Sequence, residues 1–266
     1  MIERTIVSYN GKNYKLVVIA GDTDSCYVRV IAEIPELMTR ELVVAVTGIR
    51  FAEINATLEK PMKLAFENYI KRMFVTAKKR YTMVTVDENG KEYVVSKGIE
   101  TQRKDWCDLA SDALTIANDI ILHEQDINIA TNKVVEFIRD EADRLRAGKI
   151  DIHKLILSKA LSKSITIQDY NAIHVKVARK MFERGKPSET GDRISYLILD
   201  NGGESIGDQA EEAEYVIAGK SKYKIDYDYY INKQLFPPIG RILEAIGRDK
   251  KLLSLDKKQP SLSAFP

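Results

Sequence analysis

One stretch near the start of the chain limits its fold more than any other: Val18-Ile19-Ala20-Gly21-Asp22-Thr23-Asp24-Ser25-Cys26-Tyr27-Val28. Apolar, mostly β-branched residues run up to Gly21 and resume after Ser25, which predicts two strands folded back on a tight turn with Asp22 and Asp24 at its tip. Residues two apart on an extended backbone face the same way, so both carboxylates are able to point into one pocket. Two carboxylates held together repel unless a cation sits between them. Mg²⁺, which prefers oxygen ligands and keeps substrate phosphates as co-ligands, is the usual solution. A polar hairpin tip with no further role has the same composition, since Gly-Asp-Thr-Asp is ordinary turn chemistry.

The rest of the composition narrows the setting. With 266 residues, 44% of them hydrophobic and 30% charged, the chain is long enough to bury a large core in one or two domains. No run reaches the roughly 20 apolar residues needed to cross a bilayer, and Met-Ile-Glu-Arg-Thr does not open a signal peptide, so the expected location is the cytoplasm, without a membrane partner. Cys26 and Cys107 lack metal-site spacing and are expected to be buried free thiols. A net charge of +2 does not announce a nucleic-acid binder, so any such case must be local.

In chain order, Thr5 to Ser8 and Tyr14 to Ile19 read as strands around the turn dipeptide Asn10-Gly11. Leu37 to Leu58 reads as a helix on the spacing of Leu42, Ala45, Ile49 and Ala52, ended by Pro61. Leu64 to Tyr69, Met73 to Val75, Thr82 to Val86 and Glu92 to Val95 supply further strand signals, with a turn at Asp87-Glu88-Asn89-Gly90. The expected fold class is therefore α+β with a mostly antiparallel sheet. The second half reads as a helical module: Ala110 to Leu122, a stripe of Val134, Ile138, Ala142 and Leu145 closed by Gly148, and another of Ile173, Val177 and Met181. His123, His153 and His174 have no ligand spacing; His174 is read as structural and the others as surface residues.

Charge gathers in one place. Between Lys60 and Lys104 there are eleven basic residues against five acidic ones, a surface suited to phosphates, although a solvated face carries such charges too. Three consecutive cations before an aromatic residue, Lys78-Lys79-Arg80-Tyr81, are expected in a strand, where at least one must point across the sheet.

Three motifs, in this order, resemble the C-terminal motifs of family B DNA polymerases: Gly21-Asp22-Thr23-Asp24-Ser25, Lys78-Lys79-Arg80-Tyr81, and Lys97-Gly98-Ile99-Glu100-Thr101-Gln102-Arg103-Lys104-Asp105. They resemble the palm motif with its paired aspartates, the duplex-contacting Lys-Lys-Arg-Tyr, and the stretch that enters the thumb. The likeness continues through Tyr170, His174, Gly191-Asp192-Arg193 and Tyr229-Tyr230, and covers about nine tenths of the chain. It implies a partial palm over 1–104, a mostly helical thumb over 105–250 and a flexible tail over 251–266. It also implies Asp24 and Asp22 as catalytic metal ligands for a two-metal Mg²⁺ site, with Asp24 the more important. Lys78, Lys79, Arg80, Tyr81, Lys97, Gly98 and Arg103 are implied as contacts to primer-template DNA.

The exonuclease region, the palm motif with the other metal-binding Asp, and the fingers Lys that holds the dNTP phosphates have no counterpart in this sequence. The resemblance is thus to the small subunit of a split archaeal enzyme, starting at its own first hairpin and working with a larger polymerase subunit. A viral split enzyme or an excised piece of a longer polymerase has the same signature. Ala20 stands where the family commonly has Tyr, and Lys104 replaces an Arg, which keeps charge but loses bidentate phosphate geometry. The tail, with Gln259, Leu262 and Phe265, resembles the peptide that docks on PCNA-type sliding clamps, where two apolar plugs fill one pocket. The alternative function is a non-catalytic DNA-binding and clamp-tethering subunit; the intact carboxylate pair favours the enzyme.

Overall fold

The computed structural model describes residues 5–22, 25–34, 37–98, 106–167 and 170–254. The chain divides into two compact units, Met1–Phe74 with Lys78–Lys97, and Val75–Ala77 with Gly98–Pro266.

The first unit opens with β1 (Thr5–Tyr9) and β2 (Lys12–Asp22), joined at Asn10-Gly11, whose φ angles of 49° and 72° lie in the left-handed region. Two successive positive φ angles match a hairpin turn to the right-handed twist of its strands, and Asn-Gly is the dipeptide that adopts them at least cost. β3 (Ser25–Ala32) pairs antiparallel with β2, giving the order β1-β2-β3. One face of this sheet is apolar. Val7, Tyr14 and Leu16 pack with Val46 and Ile54 of α1 (Arg40–Asn55) into a core that Val18, Val28 and Val30 border.

The helix begins where Thr39 caps it, its side-chain oxygen accepting the Leu42 N–H at 3.3 Å. It is shorter at both ends than the expected Leu37 to Leu58, since Thr39 starts it and Thr57 bends a hydroxyl back onto the Ile54 carbonyl at 2.8 Å after Asn55. Pro61 lies beyond the end that local bonding has already set. A second sheet, most of it in the same unit, has the order β4-β5-β6, built from β4 (Tyr69–Ala77), β5 (Arg80–Val86) and β6 (Glu92–Lys97). The β5–β6 turn is held by Asp87, whose carboxylate accepts the N–H groups of Asn89 and Lys91, both at 2.9 Å. The expected strand over Leu64 to Tyr69 is not formed before Tyr69, where β4 begins, while the other strands appear where the sequence puts them, in two three-stranded sheets rather than one.

The second unit continues with α2 (Asp108–His123) and α3 (Ile127–Arg146), which pack on each other and bury Ala113, Ala117 and Ile121 of the one and Val134, Ile138 and Ala142 of the other. Asp126 caps α3 by accepting the N–H groups of Asn128 and Ile129. A small sheet comes next. β8 (Arg193–Asp200) pairs antiparallel with β7 (Leu157–Ala160), β9 (Ala210–Glu212) and β10 (Lys224–Ile225). Around it lie α4 (Ile173–Glu183) and the short α5 (Ile206–Gln209), α6 (Ala213–Ile217) and α7 (Tyr227–Tyr229). A π-helical turn, Tyr230–Leu235, leads into α8 (Phe236–Ala245), whose first turn accommodates Pro237. Within that turn the buried Tyr230 hydroxyl accepts the Ile198 N–H of β8 at 3.1 Å, and Gln234 accepts the N–H of Cys107 at 3.2 Å.

Cys107 is buried, and burial pushes its thiol up to about 12, whereas Cys26 is exposed, correcting the expectation that both are buried. The histidines fall as expected: His123 and His153 are exposed and His174 is 2% exposed. The His174 Nε2 lies 3.1 Å from the Tyr170 hydroxyl.

Burial, with the nearby Lys159 charge adding to it, holds the His174 imidazole below its ordinary value. The unfolded chain therefore takes up a proton at about pH 6.5, where the folded one resists it, and stability is lost as pH falls below that point. The fall in melting temperature between pH 8 and pH 5.5 is expected to be smaller in His174→Gln than in the unchanged chain. An equal fall in both would refute this account.

Candidate metal turn and nucleic-acid interface

The hairpin that carries the aspartates is irregular just before its tip. β2 and β3 pair Val18 with Val28 and then Ala20 with Tyr27, so Ile19 is an extra residue on β2 and is 52% exposed. A bulge of this kind tightens the twist and re-aims the side chains beyond it. Here it takes Ala20 off the helix-facing side that Leu16 and Val18 occupy and sets it across from Tyr27. Gly21 then pairs with Cys26, and Asp22 with Ser25, the last pair of the ladder. Asp22 thus closes β2, and Thr23 and Asp24 are the two residues between the strands. Asp24 lies outside the described residues, as do Arg103 and the tail residues Gln259, Leu262 and Phe265.

Tyr27 ties this hairpin to the second sheet of its unit. Its hydroxyl donates to the Tyr81 hydroxyl at 2.6 Å, and the rings meet edge to face with centroids 5.2 Å apart. Tyr81 is 6% exposed and sits opposite Lys97 in the β5–β6 ladder. Sequence reasoning singled out Tyr81 but missed Tyr27. The available signal was an aromatic residue on a strand whose neighbours Val28 and Val30 already supply the helix-facing side.

The four residues of Lys78-Lys79-Arg80-Tyr81 do not lie in one strand. Lys78 and Lys79 form the turn between β4 and β5, both exposed, and only Arg80 and Tyr81 enter β5. No cation has to cross the sheet, because the chain reverses before the alternation of a strand begins. Lys79 adopts φ 62°, a left-handed conformation that a side chain with a Cβ enters at a cost of about 1 to 2 kcal/mol. Glycine would relieve that cost, so the lysine charge sits at a position its backbone disfavours. Lys97 ends β6, and Gly98 is the next residue, at φ 63°. The structure therefore gathers Tyr81 and Lys97 across one ladder, with Lys78 and Lys79 at the turn that opens it.

The donors that the sequence offers at the hairpin end are carboxylate oxygens, a hard set that suits Mg²⁺. Among the described residues, no three His, Cys, Asp or Glu side chains gather as a metal site. Among them, too, no helix is long and apolar enough to cross a membrane.

These features belong to one family. The model of DNA polymerase family B matches residues 2–246, and the chain is a member of that family. It is 34% identical over 272 residues to the DNA polymerase of Methanocaldococcus jannaschii, covering 98% of this chain and 16% of that protein. It is 32% identical over 248 residues to the DNA polymerase of Pyrococcus glycovorans, covering 92% of this chain and 30% of that protein. The structure of the family B DNA polymerase from Pyrobaculum calidifontis is similar, with a TM-score of 0.65 at 26% identity over 86% of this chain and 26% of that one. The chain thus spans less than a third of the length of each of these relatives.

Lys79→Gly separates the backbone of the turn from its charge. We expect the variant to melt at or slightly above the temperature of the unchanged chain while binding duplex DNA more weakly. The slope of log affinity against log salt should be shallower by about 0.9 if one phosphate contact is lost. Titration of a labelled duplex at several salt concentrations checks this, and unchanged affinity would remove Lys79 from the interface.

Proposed function

We propose that this chain is the C-terminal palm and thumb part of a DNA-directed DNA polymerase and that it catalyses nucleotidyl transfer together with a larger polypeptide. That partner supplies the exonuclease, the fingers and the remaining palm motifs. The single observation that carries the reading is the Tyr27–Tyr81 hydroxyl pair. It fixes the aspartate hairpin and the Lys78-Lys79 turn within one unit, which is what an enzyme needs if the duplex is to be held in a set position relative to the metal ligands.

In this reading the first unit is palm and the second is thumb. Asp24 and Asp22 hold Mg²⁺, Asp24 as the principal ligand. The metal pair, shared with the partner's carboxylates, supplies the chemistry of activating the primer hydroxyl and neutralising the dNTP triphosphate. Lys78 and Lys79 meet primer-template phosphates as exposed point charges on a stiff turn. Tyr81, being buried, serves as the post on which that turn and the aspartate hairpin both rest. Lys97, Gly98 and Arg103 approach the backbone further out, and Arg80 adds charge at the start of β5. Gln259, Leu262 and Phe265 form the sliding-clamp peptide, and the protein works in the cytoplasm on the nucleoid.

The test is primer extension with Mg²⁺ by this chain mixed with the larger polypeptide from the same source. We expect extension by the mixture, none by either chain alone, and a loss of at least a thousandfold in Asp24→Ala with the complex intact by size-exclusion chromatography. If Asp24→Ala extends primers as well as the unchanged chain, the protein is a grip and a tether instead of a part of the active site.

A further inference from the structure

The cations of α4 and of the turn after it are consumed inside the second unit. Lys176 holds Asp208 at 2.7 Å, Arg184 holds Glu211 at 2.8 Å and Lys186 holds Glu212 at 2.7 Å. Lys180 donates to the carbonyls of Asp208 and Ala210, and Arg179 to those of Ile165, Ile167 and Tyr170. These charges fix loops and leave little for a ligand.

The loop that leads from α6 to β10, at the other edge of the same small sheet, is different. It reads Ala218-Gly219-Lys220-Ser221-Lys222-Tyr223, with Lys224 opening β10. Lys220, Lys222 and Lys224 are exposed, and none of them forms an ion pair among the described residues. From Tyr215 to Ile225 the sequence has no Asp or Glu. The nearest acids along the chain are engaged elsewhere: Glu214 reaches Lys186 at 3.3 Å, and Asp226 accepts the Tyr229 N–H at 2.8 Å. Asp200 stands across the ladder from Lys224 without closing an ion pair. Three like charges within five residues repel one another, a cost that a bound anion removes.

The loop is held in shape from both ends. Gly219, at φ 69°, donates its N–H to the Val216 carbonyl at 2.9 Å, and Lys220 donates to the Tyr215 carbonyl at 3.1 Å. The Ser221 hydroxyl accepts the Tyr223 N–H at 3.2 Å, and Lys224 and Ile225 pair with Asp200 and Leu199 of β8. Tyr223 is 43% exposed, with the Lys222 ammonium 5.1 Å from its ring centroid. A cation and a free aromatic surface are thus presented together.

We propose that this loop binds unpaired nucleic acid, with the three ammonium groups taking phosphates and the Tyr223 ring taking a base. The bases of a duplex are already stacked on one another, so the phenol adds affinity only for a base that lacks a neighbour. A base laid on an aromatic ring strengthens binding about fivefold or more. The choice of nucleic acid among anions rests on the polymerase reading above, whose primer-template is unpaired where the template runs ahead of the primer. No residue given a role in that reading lies in this loop.

The whole chain is titrated with a short fluorescein-labelled oligo-dT, the same strand with abasic residues, and a blunt duplex, each at several salt concentrations. The joint variant Lys220→Gln, Lys222→Gln, Lys224→Gln should bind oligo-dT at least tenfold more weakly. Its slope of log affinity against log salt should be shallower by about 2, at roughly 0.7 per phosphate of a single strand. Tyr223→Ala should cost at least fivefold on oligo-dT and nothing on the abasic strand, and Tyr223→Phe should bind as the unchanged chain does. Duplex affinity and melting temperature should hold in all three variants, since the side chains are exposed.

Oligo-dT binding that neither the lysine variant nor Tyr223→Ala weakens overturns the proposal. Equal losses on oligo-dT and duplex make the loop a general cationic face, which also overturns it. So does binding to phosphatidylserine vesicles that the lysine variant loses while keeping oligo-dT. A chain that binds duplex but not oligo-dT loses this site and keeps the polymerase reading; one that binds neither loses both.

Discussion

The first unit is held together by a hydrogen bond between two phenols, with the Tyr69 hydroxyl on the Met38 carbonyl and the Arg40–Glu88 ion pair tying the second sheet to the start of α1. Each of its sheets has three strands, close to the smallest size that is stable alone, and α1 packs against the apolar face of the first. The Tyr27–Tyr81 contact links one sheet directly to the other. Tyr81 stands at the start of β5, next to the exposed Lys78-Lys79 turn, and Tyr27 stands near the start of β3. Rigidity is placed where function would use it, and the far ends of the strands carry fewer demands.

The second unit is organised differently, around carboxylates held by cations. Glu212 is 4% exposed and holds Lys186 at 2.7 Å and Arg184 at 3.3 Å. Asp208 is kept at about 2 by the Lys176 ammonium and the Ser205 hydroxyl beside it. A carboxylate as buried as Glu212, without its cations, would cost several kcal/mol, so such groups fix which loops may lie together more than they add net stability. The π-helical turn works in the same way. Its irregular backbone puts the Tyr230 hydroxyl under the β8 amide and the Gln234 amide against Cys107.

Much of this was legible in the sequence, and for local reasons. Asn10-Gly11, the Asp87 turn, the α3 stripe and the α4 stripe are written in residues a few positions apart, and the structure has them where expected. Family membership was legible through three short motifs in order. What was not legible depends on events across the chain. The Lys78-Lys79 turn could not be told from a strand, because lysines carry no turn signature and the left-handed φ of Lys79 is forced by the reversal between β4 and β5. The bulge at Ile19 left no mark in an apolar run that reads equally well unbroken. Tyr27 was passed over because its partner lies 54 residues away.

The edge of β3 also bears on how the protein behaves before it is at work. The last strand of a sheet is able to pair with an extended segment that reaches it, including another exposed edge. Copies of this chain with that edge open form the fraction at risk of aggregation. Solubility then depends on the concentration at which the chain is made, because contacts of one edge with another grow faster than linearly with it.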